Sequence, residues 1–241
     1  RIRPKLDLIG LPALISQKPG RPPQTEQEYV QKAEAMVRLY GRALGGEAEK
    51  RAEEYCAYFD DKLRFVGARV AQIPQEKRRR LFYVRGPRSQ NTQNRFGYVY
   101  WIGILAGAHM VVGDTPLAAN GPANMEDILF WDPEVIIVGR QYGVDLVNDD
   151  PRWRTVSAVR GGEVHPSPAG VFYWDGGPES VLMMLFIAKT LYPALFPDLD
   201  LEAEIKTFYA RFYRFALTDD QARQILRGRS PDGSRFMPIN N

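Results

Sequence analysis

The apolar pattern at the start of the chain is mainly helical. A short apolar run at 11–16 predicts a strand, after which apolar positions recur every three to four residues. Thr25 with Glu28 is typical of a capping box, and the helix it opens is expected to end at the glycine pair at 45–46. A second repeat over 47–73 predicts one unusually long helix.

From residue 76 onward, short apolar runs alternate with helical stretches. This alternation is typical of a mostly parallel sheet covered by helices on both faces. An apolar stripe over 201–215 and a capping box at Thr218 and Gln221 predict two closing helices. The expected strands are 81–85, 109–112, 135–138 and 163–166, and the expected helices between and after them are 95–106, 123–131, 144–149 and 179–192.

Composition excludes several classes of protein. With 241 residues, 44% hydrophobic and 25% charged, the chain is globular in composition, and no apolar run reaches the roughly 20 residues of a membrane span. The net charge of +3 and one short basic run at 77–80 do not indicate a nucleic-acid partner. One cysteine and two histidines exclude an intramolecular disulfide and a histidine-rich metal site.

Catalytic motifs are also missing from the sequence. No G-x-S-x-G elbow, P-loop or G-x-G-x-x-G following a strand is present, so we expect no enzyme, no catalytic residues and no intrinsic cofactor.

Three arginines fall where a parallel sheet presents its ligands. Arg85 and Arg140 follow predicted strands, and Arg95 opens the helix that follows the first of them. Guanidinium keeps its charge and binds two oxygens at once, so the set predicts a site for a large anion. Surface ion pairs and core packing are the alternative interpretations. Flat aromatic side chains near these arginines complete the predicted ligand site: Tyr98, Trp101, Tyr142, Tyr173 and Trp174.

Several segments, in order, resemble periplasmic binding proteins of ABC importers for iron-siderophores, haem and cobalamin. The stretch ANMEDILFWDPEVIIV at 123–138 resembles a helix and strand of that family. The segments 150–164 and 208–217 resemble the residues around its last C-lobe strand and its closing helix, and 11–15 resembles an N-lobe strand. The helix at 47–73 resembles the rigid helix that joins the two lobes.

The resemblance implies a two-lobed α/β fold of class III. Its lobes would divide the chain into an N-lobe part at 1–46, an inter-lobe helix at 47–75, a C-lobe at 76–195 and helices returning to the N-lobe at 196–241. Because the sequence begins at Arg1 and not at Met, the first part of the N-lobe is expected to be missing from it.

The resemblance also implies a ligand and a partner. Arg95, Arg140 and Tyr173 look most like the residues of catecholate-siderophore binders, so the expected ligand is a ferric siderophore or another metal chelate, with haem and cobalamin left open. The segment 115–120 lacks the histidine that such binders use, which leaves direct iron ligation open. Glu126 resembles the glutamate that docks on the ABC permease, although an acidic residue in a first helical turn is also favoured by the helix dipole.

The implied location is the periplasm or the outer face of the cytoplasmic membrane, and a lipid anchor before Arg1 stays open. Two other classes of function remain. One is an α/β enzyme that uses Arg85, Arg95 and Arg140 on a phosphorylated or carboxylated small molecule. The other is an adaptor that uses the fold only for protein contacts.

Overall fold

The structure is a computed structural model that describes residues 21–113, 120–171 and 173–234. The chain divides into two compact units, residues 1–60 and 61–241. The strand predicted at 11–16 and nearly all of the segment 115–120 lie outside the described residues. Among the described helices, none combines the length and the hydropathy that crossing a bilayer would need.

The first unit contains α1 (Glu26–Leu44) and the start of α2 (Glu47–Val70). Thr25 caps α1 as predicted, because its side chain accepts the backbone N–H of Glu28, whereas the Glu28 carboxylate accepts from Gln24 and not from Thr25. The helix ends at Gly45, where φ is 71° and only glycine fits easily. The predicted long helix is confirmed: the 24 residues of α2 extend over about 36 Å.

Close packing joins α1 to the first turns of α2. A side chain on Gly41 would overlap Ala52, so glycine is required where the two backbones approach. Arg38 of α1 binds Glu34 at 2.8 Å and Glu53 of α2 at 3.0 Å. Cys56 is fully buried, and burial raises the pKa of its thiol to about 11, so it is an inert core residue.

The second unit is built on a parallel sheet. Its strands pair in the order β3-β1-β5-β6, all parallel, as the alternating pattern predicts, while β2 and β4 form a separate antiparallel pair that the sequence did not predict. The strands are β1 (Arg80–Val84), β2 (Asn91–Gln93), β3 (His109–Met110), β4 (Asn120–Pro122), β5 (Val135–Val138) and β6 (Val164–Pro166).

Helices follow most of the strands. Those between the strands are α3 (Tyr98–Leu105), α4 (Met125–Trp131), α5 (Asp145–Asn148) and α6 (Ser157–Arg160). Those that follow the sheet are α7 (Ser180–Leu191), α8 (Leu201–Phe208), which continues as a π turn at Tyr209–Tyr213, and α9 (Asp219–Leu226). The capping box at Thr218 and Gln221 is confirmed. The helix predicted at 95–106 begins later, because extended backbone at Gly97 caps α3 and leaves Arg95 in the preceding turn.

Both faces of the sheet are buried, so its central strands are fixed in place. On one face, Phe82 of β1 and Ile136 of β5 pack with Ile128 of α4 and with Trp153. The described core continues into α7, most of whose side chains are buried, and α3 packs against α7. A rigid sheet of this kind holds the residues at its strand ends in fixed positions.

Candidate functional site

The candidate site lies at the carboxyl edge of the parallel sheet. Val84 of β1 pairs with Val138 of β5, and Val138 pairs with Pro166 of β6, so the three strands end side by side. Gly139 N–H donates to the Val84 carbonyl at 2.7 Å, and the chain then continues directly into Arg140. Ligands of open parallel sheets bind at this edge.

A buried carboxylate joins two of the three predicted arginines. Asp175 is 1% exposed, and its Oδ2 accepts from Arg140 Nε at 2.8 Å. Arg85 Nε lies 3.5 Å from the same oxygen. The two arginine side chains keep about a quarter of their surface exposed, 27% for Arg85 and 24% for Arg140. One buried acid therefore anchors two cations that still reach the surface.

This cluster of Arg85, Arg140 and Asp175 carries a net positive charge of one. Arg140 meets Asp175 by a hydrogen bond from Nε, Arg85 meets it by an ion pair at Nε, and in the described part of the chain neither arginine donates a hydrogen bond through its terminal Nη nitrogens. Each guanidinium thus has an unused edge of N–H donors. That arrangement suits a ligand carrying negatively charged oxygens.

The turn after β5 has an unusual backbone. Arg140 and Gln141 have φ of 60° and 59°, in the left-handed region that costs a residue with a side chain about 1–3 kcal/mol. Gly139 before them is required, since a side chain there would overlap the hydroxyl of Tyr83. Strain of this kind concentrates at binding and catalytic sites, because the surrounding structure must enforce it.

The buried hydroxyl of Tyr83 belongs electrostatically to the same cluster. Burial raises the pKa of Tyr83 well above its usual range, and the charge of Asp175 raises it further, while Arg140 and Arg85 act in the opposite direction. The phenol therefore stays protonated at any physiological pH. It stands beneath the strained turn as a neutral polar group.

Three of the five predicted aromatic side chains lie near the cluster of Arg85, Arg140 and Asp175. The Arg140 guanidinium lies 4.5 Å from the ring centroid of the buried Tyr173. The ring of Tyr142 stands against Gly86, in the turn that follows Arg85. Tyr98 at the start of α3 is 45% exposed and borders the chain at Gly176.

The remaining predicted residues do not form part of this arrangement. Arg95 is exposed in the turn before α3, where its guanidinium lies 5.5 Å from the Phe96 ring, and among the described residues no hydrogen bond or ion pair joins it to Asp175. Trp101 is buried and donates its indole N–H to the Arg95 carbonyl at 2.9 Å. Trp174 is fully buried, so its placement in a ligand wall is corrected: its ring lies in the core.

Sequence analysis missed Asp175, Tyr83 and the half-exposed Phe96. Asp175 carried a signal, because it is the one charge between an aromatic pair and two glycines in YWDGG. Tyr83 carried none, since an aromatic residue in a buried strand is ordinary. Phe96 stands directly after Arg95, and its exposure follows from the turn and not from any pattern.

A surface cavity of about 290 Å³ opens beside the strained turn. The turn residues 141–145 form one side of it, and Ser167, Arg227 and Arg229 contribute to the other. In the described ranges, no group of three or more His, Cys, Asp or Glu side chains is placed to hold a metal ion.

The predicted docking residue is on a surface helix. Glu126 is exposed in the first turn of α4, where the Asn124 side chain already caps the helix by accepting from Asp127 N–H. Leu129 and Phe130 on the same helix are 43% and 88% exposed. The surface next to Glu126 is thus unusually apolar.

Comparison with known proteins identifies the fold. No protein-family profile matches the chain. Its structure superimposes on a periplasmic solute-binding protein of Veillonella parvula with a TM-score of 0.77 and 22% identity, over 94% of this chain and 66% of that one. The chain has the fold of a class III periplasmic binding protein.

Two further solved structures have the same fold. Molybdate-bound MolA of Haemophilus influenzae matches with a TM-score of 0.78 and 23% identity, over 90% of this chain and 69% of MolA. An ABC transporter solute-binding protein of Sulfurospirillum deleyianum matches with a TM-score of 0.73 and 25% identity, over 92% of this chain and 67% of that protein.

Sequence comparison also finds MolA. MolA, a molybdate-binding protein, is 26% identical over 166 residues, which cover 66% of this chain and 46% of the MolA sequence. The chain thus spans less than half of this curated relative. The names of these relatives describe them as solute-binding proteins, and none of these names is that of an enzyme.

Proposed function

We propose that this chain is part of a solute-binding protein that captures an anion outside the cytoplasm and delivers it to an ABC permease. The observation that carries the proposal is the pair Arg85 and Arg140, whose Nη donors are unused within the described residues at the ligand edge of the sheet. The relatives support the class of function and the location, because they are periplasmic binding proteins of ABC transporters.

The first candidate ligand is a small oxyanion such as molybdate. A guanidinium can donate two parallel N–H bonds to oxygens that share one central atom, and such charge-assisted pairs are the strong hydrogen bonds of proteins. MolA, which shares the fold and 26% of the aligned residues, is a molybdate-binding protein.

The second candidate is the anionic metal chelate that the sequence resemblance implies. Tyr98 favours it, because this aromatic side chain is 45% exposed and stands against Gly176, the residue after Asp175. A chelate with flat organic groups would cover this ring, whereas a small oxyanion would leave it in water.

Calorimetric titration of the full-length natural protein separates the candidates. Molybdate, a ferric catecholate complex and sulfate are titrated in turn at one pH and one salt concentration. Saturable binding of molybdate or of the ferric catecholate, with sulfate much weaker, would support the proposed function and name the ligand class. A folded protein that binds neither would contradict it.

Permease docking through Glu126 is a separate part of the proposal. Glu126→Gln removes the charge next to Phe130 and should reduce transport in reconstituted vesicles without changing the affinity for the ligand. Glu26→Gln is the matched control, because Glu26 is likewise exposed in a first helical turn. Transport by Glu126→Gln at the wild-type rate would reject the docking role.

A further inference from the structure

We propose that Asp175 is a positioning residue that holds Arg140 by a hydrogen bond to Nε and Arg85 by an ion pair, so that the Nη nitrogens of both arginines bind the ligand. This inference rests on the proposed function, since it explains how the anion site is organised. Asp175 itself is buried and does not reach the ligand.

The geometry gives Asp175 control over both arginines. A single oxygen, Oδ2, accepts from Arg140 Nε at 2.8 Å and lies 3.5 Å from Arg85 Nε. The hydrogen bond to Nε fixes the plane of the Arg140 guanidinium, because the group is rigid and planar, and the ion pair holds Arg85 beside it. The ring of Tyr173 below Arg140 leaves that plane little further freedom.

The segment that carries Asp175 is itself held by the core. Ala169 N–H donates to the Ile225 carbonyl at 3.1 Å, and Val171 N–H donates to the Tyr209 hydroxyl at 3.2 Å. Trp174, the residue before Asp175, is fully buried. The carboxylate is therefore fixed before any ligand arrives, which lowers the entropy lost on binding.

A second role for Asp175 predicts the opposite result. If the carboxylate only neutralised part of the charge of two neighbouring guanidiniums, it would weaken the attraction of the site for an anion. Its removal would then raise the local charge from +1 to +2 and strengthen binding. The positioning role predicts weaker binding in spite of the added positive charge, so the sign of the effect separates the two roles.

The test compares Asp175→Asn with wild type in the full-length protein. The probe is molybdate, or the ferric catecholate complex if the wild type binds only that. We expect affinity to fall about tenfold or more, because the arginines lose their common anchor. Asp198→Asn is the control, since it also removes a carboxylate that an arginine, Arg69, binds at 2.8 Å; it should leave affinity unchanged. Equal or tighter binding by Asp175→Asn would overturn the proposal.

A double-mutant cycle distinguishes positioning from general damage to the fold. Asp175→Asn is measured again in an Arg140→Ala background. If Asp175 acts through its arginines, much of its effect should disappear when Arg140 is absent. An undiminished effect in that background would show that Asp175 supports the structure alone and would overturn the positioning role.

A measurement without ligand keeps this inference distinct from the proposed function. In the ¹⁵N-labelled wild-type protein, the Nε–H protons of Arg85 and Arg140 should exchange with water more slowly than those of exposed arginines. Each signal is assigned by its loss in Arg85→Lys or Arg140→Lys. Fast exchange at both would overturn the inference even if anion binding is found. Slow exchange in a protein that binds no probe would keep the geometry and reject only the proposed function.

Discussion

The two ends of the parallel sheet both carry arginines and carboxylates, but they use them differently. At the amino ends of the strands, Arg79 and Arg80 face three acids, Asp132, Glu134 and Glu163. At the carboxyl ends, Arg85 and Arg140 share a single acid, Asp175. In these ion pairs the acids outnumber the arginines at one end of the sheet, and the arginines outnumber the acid at the other.

The amino-end arginines are satisfied by the protein. The Nη nitrogens of Arg80 lie 3.7 and 3.5 Å from Asp132 and Glu134, and its Nε donates to the Asp132 carbonyl at 2.9 Å. Arg79 donates through both Nη nitrogens to the carbonyls of Leu191 and Glu134. Each Nη nitrogen of this pair therefore lies within 3.7 Å of a protein oxygen.

This contrast identifies the ligand site by the arginine N–H donors that form no hydrogen bond within the described residues. Exposure alone would not distinguish the ends, since Arg80 is more exposed than Arg140. The distinguishing features are a buried anchor, unused Nη donors in the described residues and backbone strain at Arg140. A functional site departs from the self-consistent pairing found in the rest of a fold.

The largest stability effect that would test this contrast is expected at Gly139. Gly139→Ala should lower the free energy of unfolding by about 1–3 kcal/mol, because the new methyl group overlaps the buried Tyr83 hydroxyl. Denaturant unfolding measures it. Gly67→Ala is the control: Gly67 lies within α2 with open space around it, so alanine should stabilise by about 0.5–1 kcal/mol. Equal stability of the two variants would mean that the turn is not constrained as described.

A smaller effect is expected at Asp150. This carboxylate forms an ion pair with Arg152, which binds it through both Nε and Nη. Hydrogen bonds from Arg152 and Ser89 lower the pKa of Asp150 from 3.8 to about 2. Its contribution to stability is present above pH 4 and is lost as pH falls from 4 toward 2. It amounts to at most about 2 kcal/mol.

Unfolding curves between pH 2 and pH 7 test this pair. The stability difference between wild type and Asp150→Asn should shrink across the window from pH 4 to pH 2, and anion affinity at neutral pH should not change. A difference that does not depend on pH would contradict the assignment.

The smallest effect is expected at the amino end. Arg80→Ala should lower the free energy of unfolding by about 1 kcal/mol or less, because its ion pairs are between a third and a half exposed. Raising the salt concentration should reduce the difference further. A loss of several kcal/mol that salt does not change would show that these pairs are stronger than their exposure indicates.

The sequence predicts the layers of this fold better than it predicts the site. Four consecutive β-branched residues at Val135–Val138 mark β5 without ambiguity. The polar segments Asn91–Gln93 and Asn120–Pro122 pair only because the fold brings them together, so no local pattern indicates β2 and β4. Among site residues, Arg85 and Arg140 could be predicted because strand ends are visible in the sequence. Asp175 could not be assigned to them, since its partners are distant in the chain and its own segment has no regular structure.

The most direct test of the central claim is an anion titration of Arg140→Ala beside Arg80→Ala in the full-length protein. The probe is the anion that the wild type binds most tightly among molybdate, ferric catecholate and sulfate. Arg140→Ala should weaken binding roughly 10- to 150-fold, because charge-assisted hydrogen bonds of about 1.5–3 kcal/mol are lost. Arg80→Ala should bind as the wild type does. Unchanged affinity in Arg140→Ala, or an equal loss in both variants, would contradict the assignment of the ligand site to the carboxyl end of the sheet.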